Sequence, residues 1–120
     1  MDRVQVINHN GQEVVLVDIS QCSYEELITI LPEAAGIITK SPPKSRLVLT
    51  DVTEANYNKD IAEAIKDFVK NNTPYIKASA VVGADGVRLI LLQTVIFLSR
   101  REIKAFPDRN SALDWLTGAS

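Results

Sequence analysis

The sequence predicts an α/β domain with a mixed sheet of about five strands and about four helices. Three observations carry that reading. Asn10-Gly11 joins two β-rich runs, which is the strongest short signal for an antiparallel hairpin. Three strand-then-helix units follow in succession, which implies parallel strands with right-handed crossovers. Between them, Leu47-Val48-Leu49 is an unbroken apolar run, suited to a central strand covered on both faces.

The opening pair consists of Arg3–Asn8 and Glu13–Asp18. Ser23-Tyr24-Glu25-Glu26 then forms a capping box, in which the Ser23 hydroxyl takes the Glu26 amide and the Glu26 carboxylate returns to the Ser23 amide. The helix it starts keeps Leu27, Ile30, Leu31, Ala34 and Ile38 on one face. Pro32 removes one backbone donor and is expected to bend it, and Ser41-Pro42-Pro43-Lys44 ends it. Arg46–Val52 is the central strand. Asn58 caps a second helix, whose Ile61, Ala64, Ile65, Phe68 and Val69 fall at i, i+3, i+4, i+7 and i+8, an amphipathic stripe.

Asn71-Asn72-Thr73-Pro74 stops that helix, and Tyr75–Val82 is the next strand. Its Ala78, Ser79 and Ala80 are small enough for a helix or ligand to approach the sheet closely. Gly83-Ala84-Asp85-Gly86 reads as a strand-to-helix turn with Asp85 as the cap. It lacks the Gly-Lys-Ser/Thr ending of a phosphate loop and sets a carboxylate where an anion would bind. Glu102–Phe106 is a short last strand. Pro107-Asp108 opens a final helix through Leu116, with Ala112, Leu113 and Leu116 inward, Trp115 anchoring the tail and Gly118 at its end.

The third helical segment, Val87–Leu98, is apolar nearly all the way round, with Leu89, Ile90, Leu91 and Leu92 pointing in four directions. A helix with no polar face must be covered by something. Burial between the sheet and a neighbouring helix is one outcome. Contact with an apolar ligand, a membrane surface or a second copy of the chain is the other. The segment is shorter than the ~20 apolar residues that cross a bilayer.

Composition narrows the function classes. The 120 residues suit one domain, residues 1–120, and 46% hydrophobic with 23% charged residues is a globular balance. A net charge of −2 lacks the positive footprint of a phosphate-backbone binder, so no nucleic-acid partner is expected. One cysteine forms no internal disulfide, and the amino-terminal residues lack the order of a signal peptide, so a cytoplasmic location is expected, peripheral to a membrane if the apolar helix lies on one.

The sequence offers no catalytic constellation, and no cofactor or metal is expected. His9, the single histidine, sits in the hairpin turn with no Cys or second His to complete a metal or base site. Cys22 precedes the capping Ser23, where it staples onto Leu27, and no base accompanies it to form a thiolate. Thr50, Asp51, Thr53, Asn56 and Asn58 follow the carboxyl end of the central strand, an edge at which open α/β sheets bind ligands. The same residue types make Asx turns and caps without any ligand. Asp51 and Glu54 alone fall short of a Ca²⁺ or Mg²⁺ motif.

LVLTDVT, YNKDIAEAIKDF, PYIKASAVVG and AFPDRNSALDWL, in this order of elements, resemble the SpoIIAA-like small bacterial proteins grouped with STAS and SEC14-type domains. The resemblance implies a STAS-like fold and no enzymatic activity. Relatives of the anti-anti-sigma factors bind a kinase-like protein partner and are switched by phosphorylation of a serine at the start of the helix after the central strand. Here that stretch reads Asn56-Tyr57-Asn58-Lys59-Asp60, without Ser or Thr, and Thr53 is the nearest hydroxyl. The SEC14 side of the resemblance implies binding of a nonpolar molecule or a membrane surface through apolar helices.

The leading expectation is therefore a non-enzymatic domain that binds a nonpolar ligand or membrane surface. Ala78, Ala80, Leu89, Leu92, Ile96 and Phe97 would form the apolar surface, and Arg100 and Arg101 would meet anionic headgroups. A homodimer through the same helix is a further expectation. The rival expectation is a protein-interaction module that docks a regulatory partner at Asp51, Thr53, Asn56 and Asn58.

Overall fold

In the computed structural model, which describes residues 3–56, 58–99 and 103–118 (without the side chains of Val87, Leu91 and 95–99), the strands run in chain order across one five-stranded sheet. β1 (Val4–His9) pairs antiparallel with β2 (Gln12–Asp18). The turn between them sets Asn10 at φ 52° and Gly11 at φ 79°, the left-handed pair that a tight hairpin needs. β2 is parallel to β3 (Arg46–Asp51), β3 to β4 (Ile76–Val82), and β4 to β5 (Ile103–Phe106).

The connections are α1 (Tyr24–Ile38), α2 (Lys59–Asn72) and α3 (Gly86–Ser99), with α4 (Arg109–Leu116) closing the chain. Strands added in one direction by crossovers of one hand bring all three connecting helices to the same face of the sheet. Their core contacts agree: α1 and α2 share a cluster with Val15, Val17, Val48 and Ile76, and Leu92 of α3 packs with Val81 and Ile103. Among the described residues the opposite face carries α4 alone. Ala112, Leu113 and Leu116 seal Val14, Leu16, Leu47, Leu49, Ala80 and Val82 there.

Local chemistry places the ends. The Ser23–Glu26 capping box is present in both directions, and Cys22 is buried in the same cluster as Leu27. α1 continues without a break through Pro32. Asn58 and Asp108 accept the amides of Ile61 and Ser111 to start α2 and α4. Thr73-Pro74-Tyr75 forms a 3₁₀ turn, so β4 begins one residue later than its β-prone composition suggests. Glu102 lies outside the described residues, and β5 is described from Ile103.

Two details of β4 set which side chains reach each face and how the strand ends. The β3–β4 register skips Lys77, so Ile76 and Ser79 both face α2 while Ala78, Ala80 and Val82 face α4. Gly83, at φ +85°, ends the strand where a Cβ would lie 2.7 Å from Thr53 Cα, so only glycine lets the two loops meet.

Candidate functional site

The helical face of the sheet is not filled. The apolar stripe of α2 points inward, yet of its residues only Ile61 is buried, while Ala64, Ile65, Phe68 and Val69 remain half-buried. The backbone of α2 lies closer to α1 and α3 than to the strands. Beneath it is a cavity of about 90 Å³, with Val48 and Thr50 of β3 and Ser79 and Val81 of β4 as its floor. Ile65, Phe68 and Val69 of α2, Leu92 of α3 and Ile103 of β5 complete the walls.

The outer end of the cavity is polar and held in place. Arg88 of α3 donates from Nε to the Ala55 carbonyl at 2.6 Å and from NH1 to Asp85 Oδ1 at 3.1 Å. Asn56 donates from Nδ2 to the Cys22 carbonyl at 2.7 Å. These bonds tie the start of α3 to the β3–α2 loop and that loop to the start of α1. Asp85 occupies the cap position, where its carbonyl takes the amides of Arg88 and Leu89.

Of the residues expected to form an apolar surface, Leu92 lines the cavity. Leu89 and Ile90 point outward, 38% and 64% exposed. The side chains of Ile96 and Phe97, and Arg100 and Arg101 altogether, lie outside the described residues. Ala78 and Ala80 require correction. Successive strand residues alternate between faces, and these two belong to the α4 side, so they share no surface with α3. Ser79 and Val81, one position on, take the place expected of them. The alternation was readable, but which parity faced α3 depended on the skipped Lys77.

The second group, at the carboxyl edge, is internally committed. Asp51 Oδ1 accepts the amide and hydroxyl of Thr53 at 2.9 and 2.6 Å, and Oδ2 accepts Nε and NH2 of Arg109 at 3.0 and 2.8 Å. Burial pushes its carboxyl up, but the Thr53 and Arg109 bonds outweigh it and hold the carboxyl below its ordinary value. Asp18, its register partner, repeats the motif with Ser20, and its Oδ2 lies 3.5 Å from Arg109. Asn58 caps α2, and Asn56 holds the Cys22 carbonyl. Arg109, far away in sequence, is the partner that no local pattern announced.

The remaining titratable candidates have structural partners. His9 Nε2 meets Asp114 Oδ1 at 2.8 Å, and Glu54 Oε2 accepts from Gln21 at 2.8 Å. Burial pushes the Cys22 thiol up, which disfavours the thiolate. Among the described residues, no group of three His, Cys, Asp or Glu is placed to hold a metal ion, and no helix is long and apolar enough to cross a membrane.

A solved structure shares this architecture: an uncharacterised protein of the DUF3478 family, with a SpoIIAA-like fold, from Shewanella loihica PV-4. The two superpose with a TM-score of 0.66, over 94% of this chain and 91% of that one, at 20% sequence identity. The chain has the SpoIIAA-like fold. At that identity the likeness speaks for the SpoIIAA-like backbone and not for a shared ligand. No family model and no curated protein matches the sequence.

Proposed function

We propose that this SpoIIAA-like chain is a non-enzymatic binding domain that takes a small nonpolar molecule between the sheet and helices α2 and α3. The observation that carries the reading is the apolar cavity over Val48 and Val81, under an amphipathic helix whose inward face is left half-buried. An apolar site with few convergent polar groups is the ordinary form of a small-molecule pocket. A closed cavity of roughly 150 Å³ holds benzene, so about 90 Å³ takes a short alkyl chain as it stands and a single ring where the half-buried side chains of α2 give way.

Toluene added to the methyl-labelled chain is expected to shift the resonances of Val48, Val81 and Leu92 and to leave Val14, Leu49 and Leu113, on the other face, unchanged. Val69→Phe, which fills the cavity, is expected to remove those shifts while the circular dichroism spectrum stays folded. A wild-type chain indifferent to toluene would overturn the reading. Solvent extraction and mass spectrometry of the freshly purified chain would identify the natural occupant.

Leu89 and Ile90 support a second reading, in which the outer side of α3 rests on a membrane surface. Cosedimentation with anionic liposomes tests it, and loss of binding in Ile90→Ser is the expected result. The partner-switch alternative rests on the fold likeness alone, because Asp51, Thr53, Asn56 and Asn58 spend hydrogen bonds on the chain's own groups.

A further inference from the structure

Two buried side-chain polar atoms lack a partner among the described residues, Asn72 Oδ1 and Ser79 Oγ. Their situations differ. Asn72 ends α2 and still donates its amide nitrogen to the Phe68 carbonyl at 2.6 Å. Ser79 has one polar side-chain group only, is 4% exposed, and sits on the floor of the apolar cavity. An unpaired buried hydroxyl destabilises a fold, and buried polar atoms are ordinarily satisfied. Alanine would fill nearly the same space, as it does at positions 78 and 80 on either side. Packing therefore gives no reason for the oxygen.

The surroundings give one. Val48 pairs with Ser79 and Thr50 with Val81, so Thr50 and Ser79 are neighbours on the same face and both line the cavity. The other polar lining residues, Asn56 and Arg88, are bound to the Cys22 and Ala55 carbonyls at the outer end. Ser79, with Thr50 beside it, is thus the polar point of the cavity floor, and it is the one whose oxygen is buried without a partner among the described residues. We infer that Ser79 Oγ anchors the ligand of this cavity, a small and otherwise nonpolar molecule carrying one hydroxyl or carbonyl group, seated with that group on β4 and its apolar part against α2 and α3. The inference rests on the nonpolar-ligand reading above and adds the ligand's polar group and its orientation.

Phenol and toluene test it, since they present the same ring with a hydroxyl or a methyl group. Dissociation constants for both would be measured by methyl-resonance titration of wild type, Ser79→Ala and Ser79→Cys. The Cys variant keeps a side-chain atom in place but bonds weakly. In wild type both probes bind. In Ser79→Ala, phenol is expected to weaken roughly tenfold relative to toluene, the scale of one hydrogen bond, and Ser79→Cys to fall between. A phenol-to-toluene ratio unchanged in both variants overturns the anchor while leaving the nonpolar-ligand reading intact. Binding of neither probe to folded wild-type chain overturns both.

Discussion

The two faces of the sheet are closed in different ways. On one, eight-residue α4 seals the inward side chains of β2, β3 and β4. On the other, fourteen-residue α2, with the stronger amphipathic stripe, leaves a cavity. Helix length and apolar pattern therefore do not decide how well a face is filled. Anchoring does. α4 is pinned at its start by Arg109 to Asp51, and toward its end by His9 to Asp114 and by the Gln12 amide to the Thr117 carbonyl at 2.7 Å. Trp115 adds a ring contact to Phe106, with centroids 5.5 Å apart. α2 has helices as its nearest backbone neighbours, and one of the β4 side chains beneath it, between Ile76 and Val81, is a serine.

The contrast predicts unequal costs for truncation. Leu49→Ala, in the sealed layer, is expected to cost about 3 kcal/mol by urea denaturation, because the lost contacts leave a rigid void. Ile65→Ala, on the cavity side, is expected to cost about 1 kcal/mol, since that side chain is only partly buried and already borders the cavity. Equal losses at the two sites would mean that the faces are packed alike.

Between those two in size lies the anchor. Arg109→Met is expected to cost about 2 kcal/mol at neutral pH, because it leaves the Asp51 carboxylate buried without two of its charged hydrogen bonds. The direction with pH comes from the lowered carboxyl. A group held below its ordinary value in the fold stabilises above the unfolded value and loses that contribution as pH falls through the folded value. Wild-type stability should therefore decline as pH drops below the ordinary carboxylate range, and more steeply than in Arg109→Met. Parallel declines in urea midpoint between the two proteins would show that Asp51 does not gain from Arg109. The smallest effect is expected at Ile90→Ser, on the open side of α3, within about 0.5 kcal/mol. A large loss there would mean that Ile90 is covered in solution.

Most of the fold was legible because its signals are local. Asn10-Gly11 needs two left-handed residues, Ser23 and Glu26 satisfy each other's amides, and Asn58 and Asp108 each cap the helix after them. The candidate site was less so. Leu92 lines the cavity, whereas Ala78 and Ala80 lie on the opposite face, since a strand's two faces are indistinguishable until its register with β3 is known. Asp51 and Thr53 read as turn residues, and are, but nothing nearby in sequence announces Arg109.

Hydrogen-bonding geometry and side-chain periodicity act over a few residues, so helix starts, the hairpin and the order of strands and helices are written in the chain itself. Cavity, anchoring and facing depend on where distant segments meet. The skipped Lys77, the Arg109 bridge to Asp51 and Asp18, and the cavity between α2 and Ser79 each arise only when the layers pack, because each joins groups that no short-range pattern couples.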